Sequence, residues 1–326
     1  MKPSSIGSPT IVLNNGIKSF YFSMNQYIKE TIRNFETYLK ERNLALLKTT
    51  PIPITKNYSP EVDMSQELDE SNAAYYQSLI GILRWIVEMG RVDIITEVSM
   101  LSSFVTMPRE GHFNQVIHIF AYLKSHSNTK LVLDPSYPEI KDEMSEKDKD
   151  RSSYYGDEID LPPSNAPKAK PKEFVIRACV DASHACCKLT RWSRTGFVVY
   201  LNKAQVYSFT KKQGSSEINT FRSEFVAMRQ CCNYIRGLRY KLRMMGVPVN
   251  NPTLIYGDNH SVLWRNTLVP DSTLKKKSAT VAYSYCRDEG VSRNEWIAKF
   301  VPSIESPQEK VRMMLYDIYD YDQRKL

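Results

Sequence analysis

At 326 residues and 37.7 kDa the chain is long for one hydrophobic core, so two domains are the natural expectation. A content of 42% hydrophobic and 25% charged residues excludes a disorder-level charge density, and no apolar run is long enough to span a bilayer. A net charge of +8 favours polyanionic partners without demanding one.

The first unit in chain order is "PTIVLNNGIKSFYFS", two apolar or aromatic runs around Asn15-Gly16, a pair that tolerates the positive φ angles of a tight hairpin turn. In "MNQYIKETIRNFETYLKERN", Ile28, Ile32, Phe35 and Leu39 recur near the helical period and predict an amphipathic helix with a basic outer face. After a Pro-rich connector, "NAAYYQSLIGILRWIVEMGRVDIITEVSMLSSFV" reads as two buried helices broken near Gly90, and "GHFNQVIHIFAYLKSH" as a third. Trp85 and Tyr75 are expected in the core of this bundle. Residues 1–133 thus read as a hairpin plus a helical bundle.

Residues 134–173 change character: Pro135, Pro138, Pro162, Pro163, Pro167 and Pro171 punctuate a stretch with few aliphatics and the alternating charges of "KDEMSEKDKDRSS", a linker composition. Beyond it, in residues 174–326, "EFVIRACVDA", "RTGFVVYLN" and "AQVYSFTKK" predict three strands, and "EINTFRSEFVAMRQCCNYIRGLRYKLRMMG" a long helix ending at Gly246. "PTLIYGDN" is a fourth strand and "EWIAKFVPS" a fifth, with a closing helix in "SPQEKVRMMLYDIYDY". A three-strand meander followed by alternating helix and strand predicts an α/β fold: a mixed five-stranded sheet with flanking helices.

The carboxylates follow from that order. Asp181 ends the first of these strands, Asp258 ends the fourth, and Glu224 lies in the long helix among Phe221, Phe225 and Val226. If the first and fourth strands are neighbours, both Asp residues emerge at one end and the helix brings Glu224 to them. Like charges so gathered need a cation, and all-oxygen ligands suit Mg²⁺ or Mn²⁺ better than zinc. Two ions about 3.5 to 4 Å apart would clamp an in-line phosphoryl displacement. An Asp at a strand end is also a common turn former or helix N-cap, and for any one of the three residues alone that structural role is the commoner.

The stretch from "VDASHACCKLTRWSRTGFVVYLNKAQVYSFTKKQ" through "FRSEFVAMR", then "YGDNHSVL", "STLKKKS" and "FVPSIESPQE", resembles the ribonuclease H domain at the end of copia-type LTR retrotransposon Pol polyproteins. "YYQSLIGILRWIVEMGRVDIITEVSMLSSFVTMPREGHFNQVIHIFAYLK" is similar to the segment that follows the reverse-transcriptase palm in the same polyproteins. The resemblance implies a ribonuclease H-like fold over 174–326, thumb- or connection-like character over 1–133, and a magnesium-dependent nuclease hydrolysing the RNA strand of RNA/DNA hybrids. It implies that Asp181, Glu224 and Asp258 match three of the family's four metal-binding acids, and Glu309 falls where the family carries an Asp. Two further departures are the acid-poor "DASHACC" run and Ser284 where relatives carry a His. An alternative is therefore a catalytically inactive relic or nucleic-acid-binding scaffold. Association with an intact Pol is a further partner reading. No palm-type carboxylate pair stands in the first sixty or so residues, so no polymerase activity is expected.

Arg191, Arg194, Lys211, Lys212 and the run Lys275, Lys276 and Lys277 are candidates for tracking a phosphate backbone; a solvated basic face is equally compatible with composition. His184 with Cys186 and Cys187 suggests zinc only weakly, since adjacent Cys residues lack the usual chelating spacing. Cys231 and Cys232, neighbours on one helix, read as one core and one surface position. Six Cys without CxxC spacing and no leader pattern predict a reducing intracellular location, cytoplasmic or nuclear, and no membrane partner.

Overall fold

The computed structural model describes residues 10–13, 16–138, 164–214, 220–257, 280–291 and 295–300. They divide into two compact units, the first chiefly residues up to Val132 and the second chiefly those from Leu133 on.

In the first unit β1 (Thr10–Val12) and β2 (Lys18–Ser23) pair antiparallel, Thr10 opposite Phe20, and β3 (Lys130–Leu133) adds to β2. Among the described residues four α-helices accompany this sheet: α1 (Asn25–Lys40), α2 (Glu70–Glu88), α3 (Ile95–Leu101) and α4 (Glu110–Ser125). Ile28, Ile32, Phe35 and Leu39 form the buried stripe of α1, packed with Leu79, Leu83, Phe120 and Leu123. Asp69 caps α2 by accepting from Asn72 N at 2.8 Å, satisfying one of the amides that a helix start leaves without a partner.

Trp85 corrects the expectation of a core position, because it is 52% exposed. The buried stripe of α2 runs through Tyr76, Leu79, Ile80, Leu83 and Ile86. Two positions on from Leu83 is about 200° around a helix, so Trp85 points away from that stripe. Tyr75 sits at the core's edge, its ring stacked on Tyr38 at 3.7 Å.

The second unit is α/β, with a mixed five-stranded sheet and flanking helices, the fold class that the order of elements predicts. Its strands are β4 (Ile176–Ser183), β5 (Arg194–Leu201), β6 (Ala204–Lys212), β7 (Thr253–Gly257) and β8 (Trp296–Phe300), in the order β6-β5-β4-β7-β8. The meander β4-β5-β6 is antiparallel, whereas β7 joins β4 in parallel, Cys179 opposite Tyr256, and β8 joins β7 in parallel. Strict alternation along β4 buries Ile176, Ala178, Val180 and Ala182 against Phe225, Met228, Cys231 and Ile235 of the long helix α5 (Thr220–Met244). Gly246, at φ +74°, ends α5: its amide donates to Arg243 O at 2.9 Å and that of Val247 to Leu242 O at 2.9 Å, the paired bonds of a left-handed helix terminus.

A short helix, α6 (Thr280–Ser284), runs into a π-helical turn, Tyr285–Val291. This segment accounts for a second correction: Cys231 and Cys232 are both fully buried. The sheet covers one side of α5, and the turn around Cys286 shares the same hydrophobic cluster, so two adjacent helix positions are enclosed. Trp296, at the start of β8, is buried here too, its Nε1 donating to Cys286 O at 3.0 Å.

Candidate active site and nucleic-acid interface

The neighbouring strands on which a shared carboxylate site depends are present: β4 carries Asp181, and its parallel partner β7 ends at Gly257, one residue before Asp258 in the sequence. Asp181 is half-buried, and its Oδ1 accepts from Ala182 N at 2.8 Å. The residue in register with it on β5 is Gly196, which offers no side chain to crowd it. Glu224 is only 5% exposed, one turn into α5 on the same buried stripe as Met228, Cys231 and Ile235. Asp258 and Glu309 lie outside the described residues.

A polar lattice ties the end of β4 to the start of α5. His184 Nδ1 lies 3.2 Å from Ser223 Oγ. Ser223 Oγ donates to Thr220 O at 2.9 Å, which uses its single proton, so its oxygen is left to accept from the imidazole N–H. Buried Gln213, just past β6, donates through Nε2 to Ser223 O at 2.9 Å and to Thr195 Oγ1 at 3.1 Å, and its amide donates to Ser193 O at 2.8 Å. Three strands and the helix are thus cross-linked where β4 ends and α5 begins. Gln213 and Ser223 are buried polar cross-links that periodicity alone does not reveal, because each acts through a partner distant in sequence.

Among the described residues no three His, Cys, Asp or Glu side chains form a group that could hold a metal ion. The zinc alternative fares accordingly: His184 turns to Ser223, Cys187 is buried, and Cys186 Sγ sits 3.5 Å from Trp192 O. The two described members of the acidic set, Asp181 and Glu224, offer only carboxylate oxygens, the donor chemistry that hard divalent cations take.

Four of the basic candidates come together at one edge of the second unit. Arg194 and Lys212 face each other across β5 and β6, Lys211 follows in the next register pair opposite Thr195, and Arg191 precedes β5. Arg191 and Lys211 are exposed. Sequence reading missed Trp192, over whose ring Lys212 Nζ sits 4.6 Å from the centroid. Its only signal was the aromatic set between two cations in "RWSR". Lys275, Lys276 and Lys277 lie outside the described residues. Among the described helices none is long and apolar enough to cross a membrane.

No known protein-family model matches the chain. It is 21% identical over 221 residues to a retrovirus-related Pol polyprotein from transposon RE1 of Arabidopsis thaliana, a weak homology to a retrotransposon Pol that takes in 68% of this chain and 12% of that protein's length. Among solved structures it is similar to ribonuclease H1 of Halobacterium salinarum, at 12% identity and a TM-score of 0.30 over 39% of this chain and 85% of that one. The N-terminal ribonuclease H domain of a Mycobacterium tuberculosis protein, fused to maltose-binding protein, gives 10% identity and a TM-score of 0.32 over 46% of this chain and 99% of that one. An endonuclease V from Ciona intestinalis, in complex with a 23mer DNA, gives 12% identity and a TM-score of 0.23 over 53% of this chain and 65% of that one.

Proposed function

We propose that the second unit is a divalent-metal-dependent endonuclease of ribonuclease H type, hydrolysing the RNA strand of RNA/DNA hybrids as part of a copia-type Pol. The observation that carries this reading is the parallel pairing of β4, which bears Asp181, with β7, which stops one residue short of Asp258, under a helix bearing buried Glu224. Asp181, Glu224, Asp258 and Glu309 are the residues that would hold Mg²⁺ or Mn²⁺. When bound, a pair of such ions supplies an activated water and charge stabilisation for the leaving oxygen. The chain's own contribution is to fix its carboxylates: the lattice of His184, Ser223 and Gln213 sets where α5 begins relative to β4 and β5. Arg191, Arg194, Lys211, Lys212 and the run 275–277 neutralise backbone phosphates and hold the duplex against that end of the sheet. The first unit is read as the thumb- or connection-like part of the same polyprotein, able to associate with an intact Pol in the cytoplasm or nucleus.

The test is cleavage of a hybrid carrying a labelled RNA strand, with Mg²⁺ and with chelator. Metal-dependent cutting that Asp181→Asn and Asp258→Asn each abolish is the expected result; cutting that survives both changes defeats the reading. Glu309, standing where the family carries Asp, favours a second reading as a non-cleaving, nucleic-acid-binding scaffold, since near-octahedral Mg²⁺ tolerates a displaced oxygen poorly. Glu309→Asp separates the two: a misplaced but living site gains activity from the shorter side chain, and a relic gains none.

A further inference from the structure

We infer that Trp192 is a stacking platform for single-stranded nucleic acid, set at the basic edge of the second unit and distinct from the carboxylates that would cut a duplex. This goes beyond the hydrolytic reading and does not depend on cleavage.

Four observations converge on it. Residues 182 to 216 contain no Asp or Glu, and four of their cations, Arg191, Arg194, Lys211 and Lys212, lie at the end of the β5–β6 pair where Trp192 precedes β5, so the partner that complements this end is an anion. Within that stretch Trp192 is a half-buried indole that Lys212 Nζ approaches to 4.6 Å. A cation held over one side of an aromatic ring fixes its plane and places positive charge where the phosphate next to a stacked base would lie. Arg191 and Lys211 are exposed and make no ion pair among the described residues.

The loop around the ring is also held in place. Ser193 is fully buried, its carbonyl accepting from Gln213 N at 2.8 Å and its Oγ from Ala185 N at 3.1 Å. The residue before Trp192, Arg191, is in the left-handed region at φ +54°, a conformation that costs a non-glycine residue energy and that surrounding structure must impose. A pre-set aromatic among cations is the arrangement that takes an unpaired base: every base offers a π-face, whereas a blunt duplex keeps its bases stacked on one another. The chemical class of ligand is therefore a single-stranded segment, such as an overhang flanking a hybrid.

The experiment uses the full chain and fluorescently labelled oligonucleotides, a twelve-residue oligodeoxythymidine and a blunt hybrid duplex, titrated by anisotropy across a salt series. Trp192→Ala is expected to weaken the single strand by about tenfold or more while leaving the slope of log Kd against log salt unchanged, because stacking releases no counterions. Trp192→Phe is expected to retain most of the affinity, and the blunt hybrid to change by less than about threefold. Lys211→Ala with Lys212→Ala should flatten the slope for both ligands. Equal single-strand affinity in wild type and Trp192→Ala overturns the inference, as does equal weakening of single strand and blunt hybrid, or loss of affinity in Trp192→Phe as large as in Trp192→Ala. Asp258→Asn in the same assay keeps the two readings apart: a chain that no longer cuts must still bind the single strand.

Discussion

His184 and Ser223 meet at 3.2 Å, joining a residue three positions past Asp181 to the residue just before Glu224. This bond and the Gln213 side chain, which donates to Ser223 O, tie the end of β4 to the start of α5, the two elements that carry Asp181 and Glu224. Partners that orient metal-binding side chains without touching the ion commonly affect activity by 10–100-fold.

Ser223→Ala should accordingly lower hybrid cleavage by about tenfold, with duplex affinity held within about twofold. Ser223→Thr, which keeps the hydroxyl, should recover most of it. Single-turnover cleavage rates alongside anisotropy titrations check this; affinity falling in step with rate would assign Ser223 to binding instead.

The lysine run bears on where the duplex lies. Changing Lys275, Lys276 and Lys277 to Ala should flatten the dependence of log Kd on log salt for a hybrid, by roughly 0.9 for each phosphate that is no longer neutralised. A slope identical to that of the wild type removes the run from the interface.

Gly290 tests the packing around the π-helical turn. A Cβ built there would fall 1.7 Å from an atom of the Trp296 indole, and Trp296 is fully buried, so the ring has no free space to retreat into. Gly290→Ala should destabilise the second unit by about 1–3 kcal/mol, the usual cost of overfilling a packed core. Urea unfolding followed by Trp fluorescence measures it, and an unchanged midpoint would show that the turn yields.

Buried thiols contribute to the alkaline limit. Burial pushes the Cys231 and Cys232 thiols well above their ordinary value of 9.0, with the neighbouring Cys286 adding to the shift at Cys232. Above pH 9 the unfolded chain loses protons that the folded chain keeps, so stability is fully present below that pH and declines as pH rises past it. Denaturation midpoints from pH 7 to 11 should be flat at first and then fall, and Cys231→Ala should make the fall shallower. A midpoint that rises with pH would contradict the sign.

Much of this organisation was written locally. Alternation in "IRACVDAS" specifies which side of β4 is buried, and the apolar spacing of "FRSEFVAMRQCC" gives α5 its inner face, so Asp181 and Glu224 can be placed on their elements from sequence. The helical period likewise picks out Ile28, Ile32, Phe35 and Leu39. Tertiary structure alone decided the rest, because it depends on partners that no local period encodes. Trp85 is exposed because the bundle covers only one stripe of α2, and Cys231 and Cys232 are both buried because a turn from far along the chain closes over a second side of α5. The parallel register of β4 with β7, on which the proposed carboxylate site rests, and the approach of Lys212 to Trp192 both join residues distant in sequence. Sequence carries the period of each element; which elements meet is settled by how their apolar faces pack away from water.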